Sequence, residues 1–409
     1  MKLAGDVARR IVFRALGGLR GGELVLRYPD GRGRLFGDAL GPRVAVHIHR
    51  PDDFWRKLAL RTRVGFGESY VDGDWDADDL VAFFELLSRN LAAVTRNPWA
   101  AGLYRLQTLR PDRSARQSPG TARRSIHAHY DLGNDLFRLM LDPTMTYSCA
   151  YWQRPEMTLE EAQVAKYRAV CEKLHLGPDD HVLEIGCGWG GFAIHAAREH
   201  GCRVTGVTIS RSQRELACER VREAGLEELV EIREQDYRQV DGGFSRVASI
   251  EMLEAIGLAE HDTYFATIDR LLEPAGIAVV QTIAVPDERF DRYRRAPDWI
   301  QQYVFPGSLI PSLDAVSRAV ARSRLMIVGL EEIGVGYADT LKAWRENVDA
   351  RVDDVLALGY DDRFLRIWRF YLSYCEAAFR VRHLRDMQLV LTRALNDALP
   401  RFPRERVTF

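Results

Sequence analysis

The sequence predicts an α/β protein: a doubly wound, mostly parallel sheet preceded by a small α+β unit. Three observations carry this. From about residue 125, short apolar runs alternate with helical segments at the spacing of strand–helix–strand repeats. A glycine-rich turn, "IGCGWGG", ends the first of those runs at residues 185–191. The chain has 409 residues, beyond the size at which one core usually stops growing, so two domains are expected.

The N-terminal unit is expected over residues 1–110. "ELVLRYPDGRGRLFG" reads as strand, Pro-Asp-Gly turn and strand, a hairpin. "RVAVHIHR" alternates as a further strand, and "DDLVAFFELLSRNLAAV" has helical periodicity with Asp78 and Asp79 at its start. His47 and His49 project from one strand face, but no nearby cysteine or carboxylate completes a metal site. Residues 111–124, rich in Pro, Gly, Ser and Arg, read as a linker. Its basic side chains are either solvated or in contact with anionic lipid headgroups.

The catalytic stretch is expected over 125–409. It opens with the helix "DLFRLML", the aromatic segment "TYSCAYW" and a helix from Thr158 to Leu174. Then strands "HVLEI", "CRVTGVTIS", "LVEIREQDY", "FSRVASIEML" and "IAVVQTIAV" alternate with helices, among them "HDTYFATIDRLLEPAG". Glycines at 186, 188 and 190 let the chain turn tightly and let backbone N–H groups approach a ligand. Glu184 lies just before them, the spacing is G-x-G-x-G rather than the dinucleotide G-x-G-x-x-G, and a helix precedes the turn. Together these favour S-adenosylmethionine over NAD and the seven-stranded, Rossmann-like class I methyltransferase fold. Thr208 stands where an acid usually grips the ribose hydroxyls, and Gln213 would supply polar contacts instead, while Ser210 caps the next helix. Asp236 and Tyr237 lie where an adenine would meet a polar group and an aromatic face.

Composition removes several classes. The net charge of −1 gives no field for nucleic acid, and no base-flipping motif is present. The six cysteines show no CxxC pairing or zinc-like spacing and read as reduced and intracellular. No window approaches 18 uncharged apolar residues, and the first 18 residues are broken by Arg9, Arg10 and Arg14. A soluble, cytoplasmic protein in peripheral contact with the inner face of a membrane is expected.

"HYDLGNDLFRLMLDPTMTYSCAYW", "LEIGCGWGG", "GVTISRSQ", "EMLEAIG", "YVFPGSLIPS" and "YADTLKAWREN" together resemble the cyclopropane-fatty-acyl-phospholipid synthases, with the mycolic-acid cyclopropane synthases and methyltransferases as relatives. The resemblance spans roughly 125–395. The N-terminal part also resembles the extra domain of the phospholipid-acting members. The family chemistry implied is methyl transfer from S-adenosylmethionine to a cis double bond of an acyl chain. The resulting carbocation is deprotonated by a bound bicarbonate, and the ring closes. By resemblance Tyr147 and Ser148 contact S-adenosylmethionine. Cys149, Glu254, Tyr337 and the Ile283 backbone surround the bicarbonate, with Gln281 where members often carry a histidine. An alkene has no proton to lose before attack, so no Ser–His or Cys–His pair is needed. What is needed is an aromatic pocket that tolerates a cation. Cys149 is set aside as a covalent nucleophile because its neighbours include no base.

Gln281 and Ala255 depart from the common family pattern, and Gln281 cannot carry charge. A methylene or mid-chain methyl-branched product is therefore the alternative to a cyclopropane, and a non-catalytic lipid-binding homologue the second. "PDERFDRYRRAPDWIQQYVFPGSLIPS" is either a solvated charged helix or a basic, aromatic cover for the acyl chain. "FLRIWRFYLSYCEAAF", with Cys375, reads as a core helix. The N-terminal unit is expected to hold the chain against the bilayer or to pair protomers in a homodimer. The partner implied is a phospholipid with an unsaturated acyl chain.

Overall fold

The computed structural model describes residues 2–91, 133–295, 298–396 and 399. The expected linker at 111–124 lies outside them. The chain divides into two compact units. One comprises Met1–Ser114, Glu288–Gly307 and Gly334–Arg385; the other comprises Ala115–Asp287, Ser308–Ile333 and Asp386–Phe409. The expected catalytic stretch 125–409 thus gives two of its segments to the unit that holds the N-terminus.

In that first unit β1 (Glu23–Arg27) pairs antiparallel with β2 (Gly33–Gly37) and parallel with β3 (Arg43–Ile48), which pairs antiparallel with β4 (Trp75–Ala77). The order is β2-β1-β3-β4. Leu24, Leu26, Val44, Val46 and Ile48 are buried, as the period-2 alternation requires. β4 corrects one sequence expectation. It brings Asp78 to His47 (Nε2 to Oδ1, 2.7 Å) and Asp76 to His49 (3.1 Å), so each imidazole has its own carboxylate. Among the described residues no group of three potential metal ligands forms.

Aromatic packing makes this unit's core. Phe66 stacks on Trp75 with centroids 4.7 Å apart. From helix Asp362–Arg380, the expected core helix, Phe370 meets Phe84 edge-on at 5.1 Å and Trp299 at 4.6 Å. The basic segment expected to cover the acyl chain forms helix Asp287–Arg295, in which Phe290 is buried and Arg289 donates to the His383 carbonyl (3.2 Å). Helix Pro51–Val71 carries Gly67 flat against the Trp299 indole: a Cβ there would lie 2.4 Å from the ring. Gly67→Ala is expected to lower stability by about 1–3 kcal/mol through this overlap. Urea denaturation measures it, and an unchanged midpoint would mean that Trp299 yields freely.

The second unit holds seven strands in the order β10-β11-β9-β8-β5-β6-β7. They are β5 (His181–Ile185), β6 (Arg203–Thr208), β7 (Val230–Glu234), β8 (Phe244–Ile250), β9 (Leu272–Ala284), β10 (Leu325–Glu332) and β11 (Arg385–Arg393). β5 to β9 are joined by parallel pairings, and β10 and β11 pair antiparallel, so the mostly parallel sheet expected from the sequence is present. β5, β8 and β9 each feed both faces. Val182, Ala248, Ile277 and Val279 join one core cluster; Leu183, Val247, Ala278 and Val280 join the other.

Two boundaries differ from expectation. The helix expected to reach Gly276 ends at Leu271, and β9 begins at Leu272. Pro274 explains this, since it lacks an N–H and disfavours helix in the residue before it. The strand expected to run to Leu253 stops at Ile250, because Glu251 turns into the left-handed region with φ +51°.

Candidate active site

The strand order reverses around β5, with β6 on one side and β8 on the other, and the carboxyl ends of these strands splay apart there. A cavity of about 170 Å³ opens at this point. Gly186, Gly188 and Gly190 have φ of +82°, +51° and +80°, a left-handed run that side chains resist. Gly186 also lies so close to Met252 that a Cβ would sit 2.8 Å from its Cγ. The turn therefore presents main chain, not side chains, to a ligand.

Tyr147, Ser148, Glu184, Gly186, Gly188, Thr208, Gln213, Asp236 and Tyr237 all line this cavity. Gly190 does not: it caps helix Gly191–His200 and packs on Ala217, so its role is the helix start. The Thr208 hydroxyl donates to Gln213 Oε1 (2.8 Å), and Ser210 caps its helix through the Gln213 N–H. Asp236 is held by Arg238 (2.6 and 2.9 Å), so its carboxylate is already partnered by a guanidinium. Two groups on the wall await a partner. Glu184 Oε2 and the Tyr237 hydroxyl are buried and make no hydrogen bond. Together with the bare glycine turn, they fit S-adenosylmethionine, whose ammonium and adenosine offer donors and acceptors at such positions.

"TYSCAYW" is pinned from below by helix Leu159–Leu174. That helix starts at a capping box between Thr158 and Glu161. Gln163 donates to the Ser148 carbonyl (2.9 Å), Lys166 Nζ donates to Ser148 Oγ (2.5 Å), and the Tyr151 N–H reaches the Ala162 carbonyl (3.0 Å). The Cys149 N–H donates to Glu251 Oε1 (2.7 Å). The Cys149 thiol is fully buried, and desolvation, followed by the charges of Asp386 and Glu251, pushes its pKa well up, so it stays a thiol.

The expected anion-binding residues form a cluster beside the cavity rather than on its wall. Glu254 Oε1 accepts from the Ile283 N–H and from the Thr282 hydroxyl (3.0 Å). Gln281 Nε2 donates to Glu251 Oε1 (2.8 Å) and to Asp386 Oδ2 (2.9 Å), while its Oε1 accepts from Gln388 (3.0 Å). Tyr337 belongs to the other unit, where it stacks on Phe379 at 4.4 Å. Bicarbonate does not fit this cluster. The Ile283 N–H and both Gln281 amide hydrogens are spent on carboxyl oxygens, and a further anion would have to sit against Glu251 in a desolvated volume.

Glu251, Lys166, Asp386 and Gln388 escaped the sequence reading. Lys166 reads as a surface lysine on a helix. A signal was present, since it shares the face of Ala162, Val170 and Leu174 at i±4 spacing and is fully buried. Burial lowers its pKa to about 8, opposed first by Glu251. Burial raises Glu184 to about 8; Glu254 rises to about 8 through burial and then Glu251; Asp386 rises well above the usual range through burial, then Glu251 and Glu254.

Sheet, glycine turn and cavity define a methyltransferase that uses S-adenosylmethionine. The family described as mycolic acid cyclopropane synthetase matches residues 117–389. The chain is 38% identical to the tuberculostearic acid methyltransferase UfaA1 of Mycobacterium tuberculosis, over 95% of this chain and 91% of that one. It is also 38% identical to the cyclopropane-fatty-acyl-phospholipid synthase of Escherichia coli K12, over 87% and 89%. Among solved structures, the cyclopropane synthase MmaA2 of M. tuberculosis matches at 30% identity and a TM-score of 0.62, covering 66% of this chain and 97% of that one. The mycolic acid cyclopropane synthase CmaA1, solved with SAH and CTAB, matches with the same values. The chain belongs to the cyclopropane synthase family.

Glu184 gives a pH signature. Its carboxyl rises from 4.5 to about 8 on folding, so the folded state holds the proton more tightly than the unfolded chain. Its contribution to stability is full below pH 4.5 and is lost as pH rises to about 8, by no more than about 1.4 kcal/mol per pH unit. Glu184→Gln keeps the shape without the titration. Its melting temperature relative to the unmodified protein is expected to climb steadily from pH 5 to pH 8, as calorimetry at a series of pH values would record.

Proposed function

We propose that the protein transfers a methyl group from S-adenosylmethionine to the cis double bond of an unsaturated phospholipid acyl chain, and that proton loss then closes a cyclopropane ring. The family membership carries the reaction class. The observation that carries the site is the glycine turn with the unpartnered Glu184 oxygen on its wall. Bound S-adenosylmethionine supplies an electrophilic methyl. The chain's own groups do the rest. Glu184, Tyr237 and the turn orient the cofactor. Tyr147, at an angle to Phe137 with centroids 5.3 Å apart, offers a ring face to developing positive charge. Cys149, Glu254, Gln281 and Ile283 form the polar cluster beside the cavity.

A second product is favoured by one observation. The tuberculostearic acid methyltransferase aligns with 95% of this chain. On that reading a hydride shift precedes proton loss and a methylene chain results, which a separate reductase would have to reduce to give a methyl branch. Among the described residues no helix is long and apolar enough to cross a membrane. We infer peripheral attachment to the cytoplasmic face, aided by helix Lys2–Leu16 with Arg9, Arg10 and Arg14 or by pairing of protomers through the N-terminal unit.

Mass spectrometry of lipids from a host expressing the protein tests this. Gain of one CH2 with loss of the double bond marks a ring. The same gain with an alkene retained marks the methylene product. No gain in any lipid would leave only lipid binding. Glu254→Gln should lower turnover by about tenfold or more, because an amide can accept but not hold the Ile283 N–H and Thr282 hydroxyl with a carboxylate's strength. Full activity of that variant would remove Glu254 from the site.

A further inference from the structure

We propose that Glu251 is the base of this reaction, positioned by Gln281 and Asp386, and that no bicarbonate takes part. The inference rests on the methyl transfer proposed above and names the group that receives the proton.

Glu251 both lines the cavity and belongs to the hydrogen-bonded cluster beside it. Its backbone sits at φ +51° at the end of β8, a conformation uncommon for a residue other than glycine, and persisting at a cavity wall it points to use. Oε1 accepts from the Cys149 N–H and from Gln281 Nε2, which fixes the carboxylate without protonating it. The direction of the Gln281 amide is itself fixed. Gln388 donates to its oxygen, and Lys173 donates to Gln388 Oε1 (2.5 Å) while pairing with Glu331 (2.7 Å). The Gln281 NH2 therefore faces Glu251 and Asp386. Asp386 also hydrogen-bonds Glu251, and burial, then the charges of Glu251 and Glu254, raise its pKa well above the usual range. A glutamine is suited to this position because it donates to two carboxyls without competing for the proton.

The step balances in bonds and charge. A sulfonium brought into a desolvated cavity is favoured by a nearby carboxylate, and Glu251 lies on the cavity wall. In the first step the alkene electron pair forms the new C–C bond, the C–S bond breaks, and the cofactor leaves as a neutral thioether. The positive charge now sits on the neighbouring carbon of the acyl chain. Glu251 then takes a proton from the transferred methyl, and the released C–H pair closes the ring. After a hydride shift the same pair would instead form the methylene double bond. Glu251 ends neutral and returns its proton to solvent as products leave. A bicarbonate base would add a second anion against Glu251, where the Gln281 amide and the Ile283 N–H are already engaged.

The test uses the full-length protein, S-adenosylmethionine and vesicles of monounsaturated phosphatidylethanolamine and phosphatidylglycerol in carbonate-free buffer. Turnover is expected to be unchanged on adding bicarbonate. Glu251→Gln should lose about 100-fold or more in turnover, and a circular dichroism spectrum and melting curve like those of the unmodified protein report that it folds. Glu251→Gly should regain part of the loss with added formate. Turnover that requires bicarbonate, or an active Glu251→Gln, would overturn the proposal. Carbon-13 bicarbonate titration of the unmodified protein gives a readout free of turnover: no saturable binding is expected, and saturable binding would overturn the inference. Absence of methyl transfer to any lipid by the unmodified protein would instead count against the function proposed above, and the titration would still decide the anion.

Discussion

Taking charge out of water is costly unless each charge meets a counter-charge and its hydrogen bonds are completed. The site is organised around that demand. Lys166 is fully buried, and its ammonium answers the nearby carboxyls while its Nζ holds the Ser148 hydroxyl. Remove the lysine and Ser148 loses its tether, Glu251 loses its counter-charge, and the Cys149 main chain loses a well-placed acceptor. Lys166 thus joins Gln163 and the Ala162 carbonyl in holding "TYSCAYW" in place, and adds the charge the others lack. The same economy raises the Asp386 pKa well above the usual range, first through burial and then through the Glu251 charge beside it.

The scaffold supplies what the charges need. Strands buried on both faces leave little freedom at β5 and β8, so the groups at their carboxyl ends are held firmly. The hydroxyl of Ser249, one residue before the end of β8, donates to the Ile185 carbonyl (3.0 Å) at the end of β5. Glutamate at 251 follows directly, and the glycine turn follows Ile185. The glycine turn and Glu251 therefore hang from two adjacent strands, and a shift of one would carry the other.

Much of this was legible in the sequence. The alternation of apolar runs with helical periods gave the parallel sheet, and the glycines gave the cavity. Nine of the ten expected cofactor residues line it, and the exception, Gly190, starts a helix. What stayed hidden depends on geometry that one-dimensional patterns do not carry. Lys166 looks like any helical lysine until its face is known to be buried. Glu251 and Glu254 sit in one motif, and only the left-handed turn at Glu251 separates the one that reaches the cavity from the one that holds the Ile283 backbone. Asp386 and Gln388 lie more than a hundred residues from Gln281 and meet it only because β11 inserts beside β9.

The interleaving of the chain has a consequence for its birth on the ribosome. The four N-terminal strands are made early, yet the aromatic core they share with Trp299 and Phe370 needs residues up to Arg385. Domains usually fold in the order they are synthesised. Here the N-terminal segment must wait for nearly the whole polypeptide before Phe66, Phe84 and their neighbours are covered. During that wait its aromatic surface is available to chaperones, or to a second nascent copy of itself.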